Sequence, residues 1–122
     1  MQKEKKIAIW LDHTKARLVS YPVTKIGQVI SKQQIDQDNI CRAEKRLNHK
    51  LQELQRSFYK KIENAIKDFS EVLLCGPTDA KIEFYHLLLN QSSHRFRRYR
   101  IINAGKMTNS QLIAFVKRSF EN

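Results

Sequence analysis

Residues Glu71–Lys81 read EVLLCGPTDAK, and the fold of the whole chain follows from this stretch. Val72 to Cys75 are apolar without a polar break, Gly76-Pro77 ends the run, and Thr78 and Asp79 open a helical pattern. An apolar run of this length between turn residues reads as a buried strand. A strand that feeds directly into a helix is the unit of an open α/β fold, and such folds bind ligands at the carboxyl ends of their strands. Backbone N–H groups at the helix start favour an anion there. Thr78, Asp79 and Lys81 therefore form a candidate anion site, with Lys81 as counter-charge. The competing role is structural: Asp79 caps the helix and Lys81 is solvated. Neither GxxxxGK[ST] nor GxGxxG occurs, so no nucleotide cofactor is expected.

Upstream, Ile7–Leu11 (IAIWL) is apolar at every position, the pattern of a central strand covered on both faces. Asp12 to Lys15 form a turn, and Ala16–Tyr21 (ARLVSY) is a second strand. A turn through Pro22 and Gly27 leads to a third strand, Gln28–Ile35, whose polarity suits a sheet edge. Three strands joined by short turns make an antiparallel meander. Asp38 is the candidate N-cap of a long helix running to about Asp68. Its apolar positions, from Ile40 and Leu47 through Leu54, Phe58, Ile62 and Ile66 to Phe69, recur in steps of three and four.

Downstream, Thr78 to about Asn90 is a helix with Ala80, Phe84, Leu87 and Leu88 inward. Gln91 to His94 is a loop, and a fifth strand lies within Arg95–Ala104. Thr108 and Gln111 form a capping box, with Met107 and Leu112 at its staple positions, and the last helix buries Leu112, Phe115, Val116 and Phe120. The order is β-β-β-α-β-α-β-α. Each of the last two strands is preceded by a helix that must cross the sheet, which implies parallel pairing with the first strand. The expectation is one α/β domain over 1–122: three layers, a five-stranded mixed sheet in the order 3-2-1-4-5 with strand 2 antiparallel, and helices on both faces.

The formal charge of +11 and the pI near 9.9 point to a polyanionic partner. No basic amphipathic helix stands apart from the fold, so RNA or DNA is expected and a membrane surface is not. The 29% of charged and 41% of hydrophobic residues exclude low-complexity disorder. No apolar run is long enough to span a bilayer, and Ile7–Leu11 is too short for a signal-peptide core, so a cytoplasmic location is expected. Cys41 and Cys75 lack metal-ligand spacing and read as buried reduced thiols.

Two basic segments carry the nucleic-acid reading. The long helix presents Arg42, Lys45, Arg46, His49 and Lys50, followed by Arg56, Lys60, Lys61 and Lys67. The run His94-Arg95-Phe96-Arg97-Arg98-Tyr99-Arg100 interleaves four Arg with two aromatics, which suits phosphate pairing and base stacking. Its competing reading is edge-strand alternation, with Tyr99 inward and Arg98 and Arg100 outward as guards against edge pairing. Asp12 and His13, at the end of the central strand, are a candidate polar site for acid–base or metal chemistry. Two-metal nucleases need a carboxylate cluster, and the strand ends offer only Asp12 and Asp79. His49, His86 and His94 have no ligand spacing, so no metal is expected.

Three segments carry a family resemblance. They are Ile7–Asp12 followed by Ala16–Val19; Arg42–Lys50 leading to Phe58-Tyr59-Lys60-Lys61; and Val72–Lys81. In this order they resemble the middle domain of eukaryotic and archaeal class-1 release factors and of Pelota-like ribosome-rescue factors. That domain has a ribonuclease-H-like architecture grouped with translational machinery components. The chain is also similar to a set of short bacterial proteins sharing WxDH, GPTDAK and KMTxxQ, here Trp10–His13, Gly76–Lys81, and Lys106–Thr108 with Gln111. Release factors hydrolyse peptidyl-tRNA with a Gly-Gly-Gln loop before the long helix, whereas this chain reads Ile35-Asp36-Gln37-Asp38-Asn39-Ile40. Without glycine the loop lacks the backbone freedom that a crowded RNA site demands, so peptide release is not implied. Pelota-like factors also lack the tripeptide. The resemblance implies a non-catalytic module that associates with the ribosome or tRNA through basic surfaces, with no cofactor. Two alternatives remain: a metal-dependent nuclease or small hydrolase using Asp12 and Asp79 with His13 and Lys81, and a self-associating structural protein whose interface is a strand edge or the long helix.

Overall fold

Two fully apolar runs, IAIWL and VLLC, form adjacent strands in the middle of a sheet. The computed structural model of the chain describes residues 5–23, 26–30, 44–90 and 97–121, and of 44–49 and 51 the backbone alone. In chain order the elements are β1 (Lys6–Leu11), β2 (Lys15–Tyr21), β3 (Ile26–Ile30), α1 (Glu44–Ala65), β4 (Glu71–Gly76), α2 (Ala80–Leu89), β5 (Arg98–Asn103) and α3 (Asn109–Glu121). The sheet order is β3-β2-β1-β4-β5. β2 is antiparallel to both β1 and β3, whereas β4 runs parallel to both β1 and β5. This is the expected topology, and its cause is the connections: those within the meander are short, and helices carry the chain across the sheet to each later strand.

Period-two alternation divides the apolar residues of β1 and β4 between two cores. Ile7, Ile9, Leu11, Val72 and Leu74 meet Phe58, Ile62 and Ile66 of the α1 segment and Ala80, Phe84 and Leu88 of α2. Ala8, Trp10, Leu73 and Cys75 meet Leu112 and Val116 of α3. Thus α1 and α2 form one layer, α3 forms the other, and both faces of the central strands are dry.

Several boundaries differ from the sequence expectation. α1 ends at Ala65, and Ile66 N–H donates to Glu63 O (3.2 Å) and Phe69 N–H to Ile66 O (3.1 Å). These three-residue bonds tighten the chain off the helix while Ile66 stays in the core. α2 begins at Ala80. Asp79, in the N-cap position, has helical backbone angles and makes no side-chain capping bond; Thr78 Oγ1 instead accepts from Ala80 N–H at 3.2 Å. The last helix meets expectation: Gln111 Oε1 accepts from Thr108 N–H (3.0 Å) and Thr108 Oγ1 from Gln111 N–H (3.2 Å), a box that contributes about 1 kcal/mol. β3 residues beyond Ile30, the Asp38 cap and the loop at 35–40 lie outside the described residues.

Candidate strand-end site and nucleic-acid interface

Gly76 closes β4 against the end of β1. Its φ is 150°, and a Cβ there would lie 2.0 Å from Leu11 O, so only glycine fits. Next to this contact, Asp12 builds the β1–β2 turn. Its Oδ1 accepts from Thr14 N–H (2.8 Å), Thr14 Oγ1–H (3.0 Å) and Lys15 N–H (2.8 Å). That is the turn role expected of Asp12, and it commits one carboxylate oxygen to backbone geometry.

His13 does not reach Asp79 or Lys81 through any hydrogen bond among the described residues; its partner is Glu83. His13 Nε2 lies 3.1 Å from Glu83 Oε2, and Glu83 Oε1 accepts from Tyr59 O–H at 3.0 Å. This polar chain ties the β1–β2 turn to α2 and α1. Burial, then the Glu83 charge, pushes the Tyr59 hydroxyl well above its ordinary 10.0, so it remains a donor at neutral pH. Neither Glu83 nor Tyr59 is a candidate site residue in the sequence, since they lie on separate helices and nothing local pairs them.

Lys81 is a correction to the solvated reading. It is only 3% exposed, and its Nζ donates to Thr78 O at 2.7 Å, folding back over the turn that precedes α2. Of the three candidate anion ligands, Thr78 has its hydroxyl committed to Ala80 N–H and Lys81 has its ammonium turned inward, while Asp79 is exposed. Among the described residues no group of three or more His, Cys, Asp or Glu side chains could hold a metal ion.

Cys75 is fully buried and unbonded to another sulfur, as expected. Burial pushes its thiol from an ordinary 9.0 up to about 12, while the Arg17 and Lys81 charges pull the other way. Unfolding exposes a thiol that ionises from 9.0 upward, whereas the folded thiol holds its proton until about 12, so stability falls as pH rises across that window. The denaturant midpoint should drop between these limits, and less steeply in Cys75→Ala. Equal pH profiles for the two proteins would show that Cys75 is not the group responsible.

The basic candidates separate onto two faces. Arg42 and Arg95 lie outside the described residues; Lys45, Arg46 and His49 sit on α1 without described side chains, and Lys50 is exposed there. Further along, Arg56, Lys60, Lys61 and Lys67 are exposed. Arg97 lies against the same layer, with Nη2 donating to Lys67 O at 2.7 Å. Arg98 and Arg100 point to the opposite face, abreast of Glu71 and Leu73, and Arg100 Nη1 donates to Ser119 O of α3 at 2.8 Å. Tyr99 packs on the α1–α2 core, edge-on to Tyr85 at 5.3 Å. Strand alternation therefore splits the Arg run, and the sheet stands between the α1 cations and Arg98 with Arg100. On the α3 side, Arg100 and Arg118 line a cleft of about 380 Å³. Lys15, Arg17 and Lys106 line another of about 360 Å³, and the sequence reading assigned none of these three to a binding site. No helix among the described residues is long and apolar enough to cross a membrane.

No protein-family model and no curated protein matches the chain. Solved structures do. Pelota from Thermoplasma acidophilum superposes with a TM-score of 0.61 at 17% identity, over 93% of this chain and 32% of that one. Pelota from Archaeoglobus fulgidus gives 0.60 at 14% identity, over 96% and 32%. The archaeal translation termination factor aRF1 gives 0.58 at 12% identity, over 97% and 35%. The chain spans about a third of the length of each. At these identities the likeness is one of fold, and the fold is that of a Pelota- and aRF1-like middle domain, as the three sequence segments implied.

Proposed function

We propose that this chain is a non-catalytic, release-factor-like module that associates with the RNA of the ribosome or with tRNA through its basic surfaces. The observation that carries the reading is the Pelota and aRF1 fold over nearly the whole chain combined with a net charge of +11. A fold held in common with a translation termination factor supplies the setting, and exposed cations on both layers supply the means. The glycines are Gly27, Gly76 and Gly105, so the chain contains no Gly-Gly-Gln, and peptide release is outside the proposal. A cytoplasmic location goes with this role.

Docking of this kind is driven by counterion release, so affinity falls steeply with salt. If four or five cations reach phosphates, log K should fall with log salt at a slope of about −3 to −4. Co-sedimentation of the purified protein with ribosomes at low and high salt tests this. Association at low salt that is lost at high salt is expected. Lys60→Ala with Lys61→Ala, compared with Arg98→Ala with Arg100→Ala, then assigns the docking face by which pair flattens the salt slope. Absence of salt-sensitive association would overturn the reading. A sedimentation coefficient that grows with protein concentration alone would favour self-association instead.

A further inference from the structure

One row of side chains crosses the sheet on its α3 face. Gln28, Arg17, Trp10 and Cys75 sit abreast on β3, β2, β1 and β4. α3 covers the Cys75 end of the row but leaves the Gln28 end open. The result is the cleft of about 360 Å³ between β2, β3 and the start of α3. Its polar lining is Lys15, Arg17, Gln28, Lys106 and Asn109, with Trp10 as floor, and no carboxylate among the described residues lines it.

Among the described residues, the cations in this cleft have no partner of opposite charge. Among the described residues, Lys15, Arg17 and Lys106 make no ion pair, unlike Lys6 with Glu71 and His13 with Glu83. Arg17 Cζ lies over the Trp10 ring, 4.5 Å from its centroid, and Lys15 Nζ lies 5.7 Å from the same centroid. Arg17 Nη1 donates to Asn109 Oδ1 at 3.0 Å, which aims the guanidinium along the cleft. Its Nε is buried without any hydrogen-bond partner. A buried donor left unpaired costs about 1–3 kcal/mol. Three like charges held together without a counter-charge among the described residues are the arrangement that an anion stabilises, and an Arg fork is matched to phosphate oxygens.

We propose that this cleft binds one nucleotide, with its phosphate against Lys15, Arg17 and Lys106 and its base toward Gln28, Ile26 and Met107. The volume is that of a small-ligand site and is larger than a phosphate alone requires. Side-chain amides such as Gln28 pair with base edges, and bases stack on Arg guanidinium planes. The nucleotide is either free or one unit of a single-stranded RNA, since both offer the same phosphate and base. The cleft is assigned from its own lining, so it stands or falls independently of ribosome association.

Trp10 is the single tryptophan of the chain, and its indole N–H donates to Gly105 O at 2.9 Å, next to Lys106. It is thus a built-in reporter. Its one indole signal in a proton–nitrogen correlation spectrum should shift saturably on titration with adenosine monophosphate or a short oligoadenylate. Adenosine alone and inorganic phosphate should bind at least about tenfold more weakly, since each lacks half of the contacts. Tighter binding of the monophosphate identifies a free nucleotide as the ligand; tighter binding of the oligomer identifies a strand. Arg17→Gln and, separately, the exposed Lys106→Gln should each weaken binding about tenfold, whereas Lys60→Gln on the opposite layer should not. No saturable indole shift, equal affinity for inorganic phosphate, or full binding by both cleft variants would overturn the proposal. Because no ribosome is present, failure here leaves the co-sedimentation result to be judged by itself.

Discussion

Gly76→Ala should lower the thermal midpoint by about 15 °C, a loss of about 4 kcal/mol for a chain of this size. The added methyl meets Leu11 O at 2.0 Å, a backbone atom of the adjacent central strand that no rotamer change can remove. The residue also holds φ at 150°, a conformation that L side chains rarely adopt, which alone costs about 1–3 kcal/mol. Relief requires parting β4 from β1 at the end where Trp10 and Cys75 are paired and where Ala104 N–H donates to Gly76 O at 3.2 Å. Gly105→Ala is the control: its Cβ would meet nothing within 4 Å, so the change should stay within about 0.5 kcal/mol. Circular dichroism melts of the two variants decide the matter. A Gly76→Ala protein that melts within a few degrees of the parent would mean that the β1–β4 contact is not as tight as described.

Phe84→Ala should cost about 3–5 kcal/mol, a large share of the whole stability of a domain of this size. Phe84 is completely buried at the junction of α2 with the sheet, and its ring lies 5.6 Å from that of Tyr59 on α1. Its removal leaves a cavity lined by residues of three elements, so collapse from any one side cannot fill it. The urea midpoint should fall with an unchanged slope, since the surface exposed on unfolding barely changes. The same cavity frees the Tyr59 ring that donates to Glu83, so the His13–Glu83–Tyr59 chain should loosen as well. A loss under about 1.5 kcal/mol would show that Phe84 does not fill the core as placed.

The strands and their order were legible because the signals are local and redundant. IAIWL and VLLC can be satisfied only in the middle of a covered sheet, and the GPTD turn, the capping box at Thr108 and Gln111, and the four-residue spacing of Phe58, Ile62 and Ile66 each speak for one element alone. Boundaries were less legible, because they depend on which backbone groups find partners. Asp79 looks like a cap in sequence, yet Thr78 occupies that role.

The sites were less legible still. A sequence places Arg97, Arg98, Tyr99 and Arg100 side by side, but a strand sends alternate members to opposite faces, and only the sheet decides what waits there: Lys67 O for one, Ser119 O for another. Lys81 is a cation in any sequence reading. Its burial over Thr78 O follows from where α2 meets the sheet. Lys15 and Arg17 belong to a hairpin and Lys106 to a loop almost ninety residues later, as the numbering itself shows. What the sequence by itself determined was the element order, the two-sided sheet and the excess of positive charge, because hydrophobic periodicity and turn chemistry are written along the chain. Which cations share a cleft, and which are divided by the sheet, was decided only by the tertiary structure, because proximity across strands and helices depends on register and packing, which no local pattern encodes.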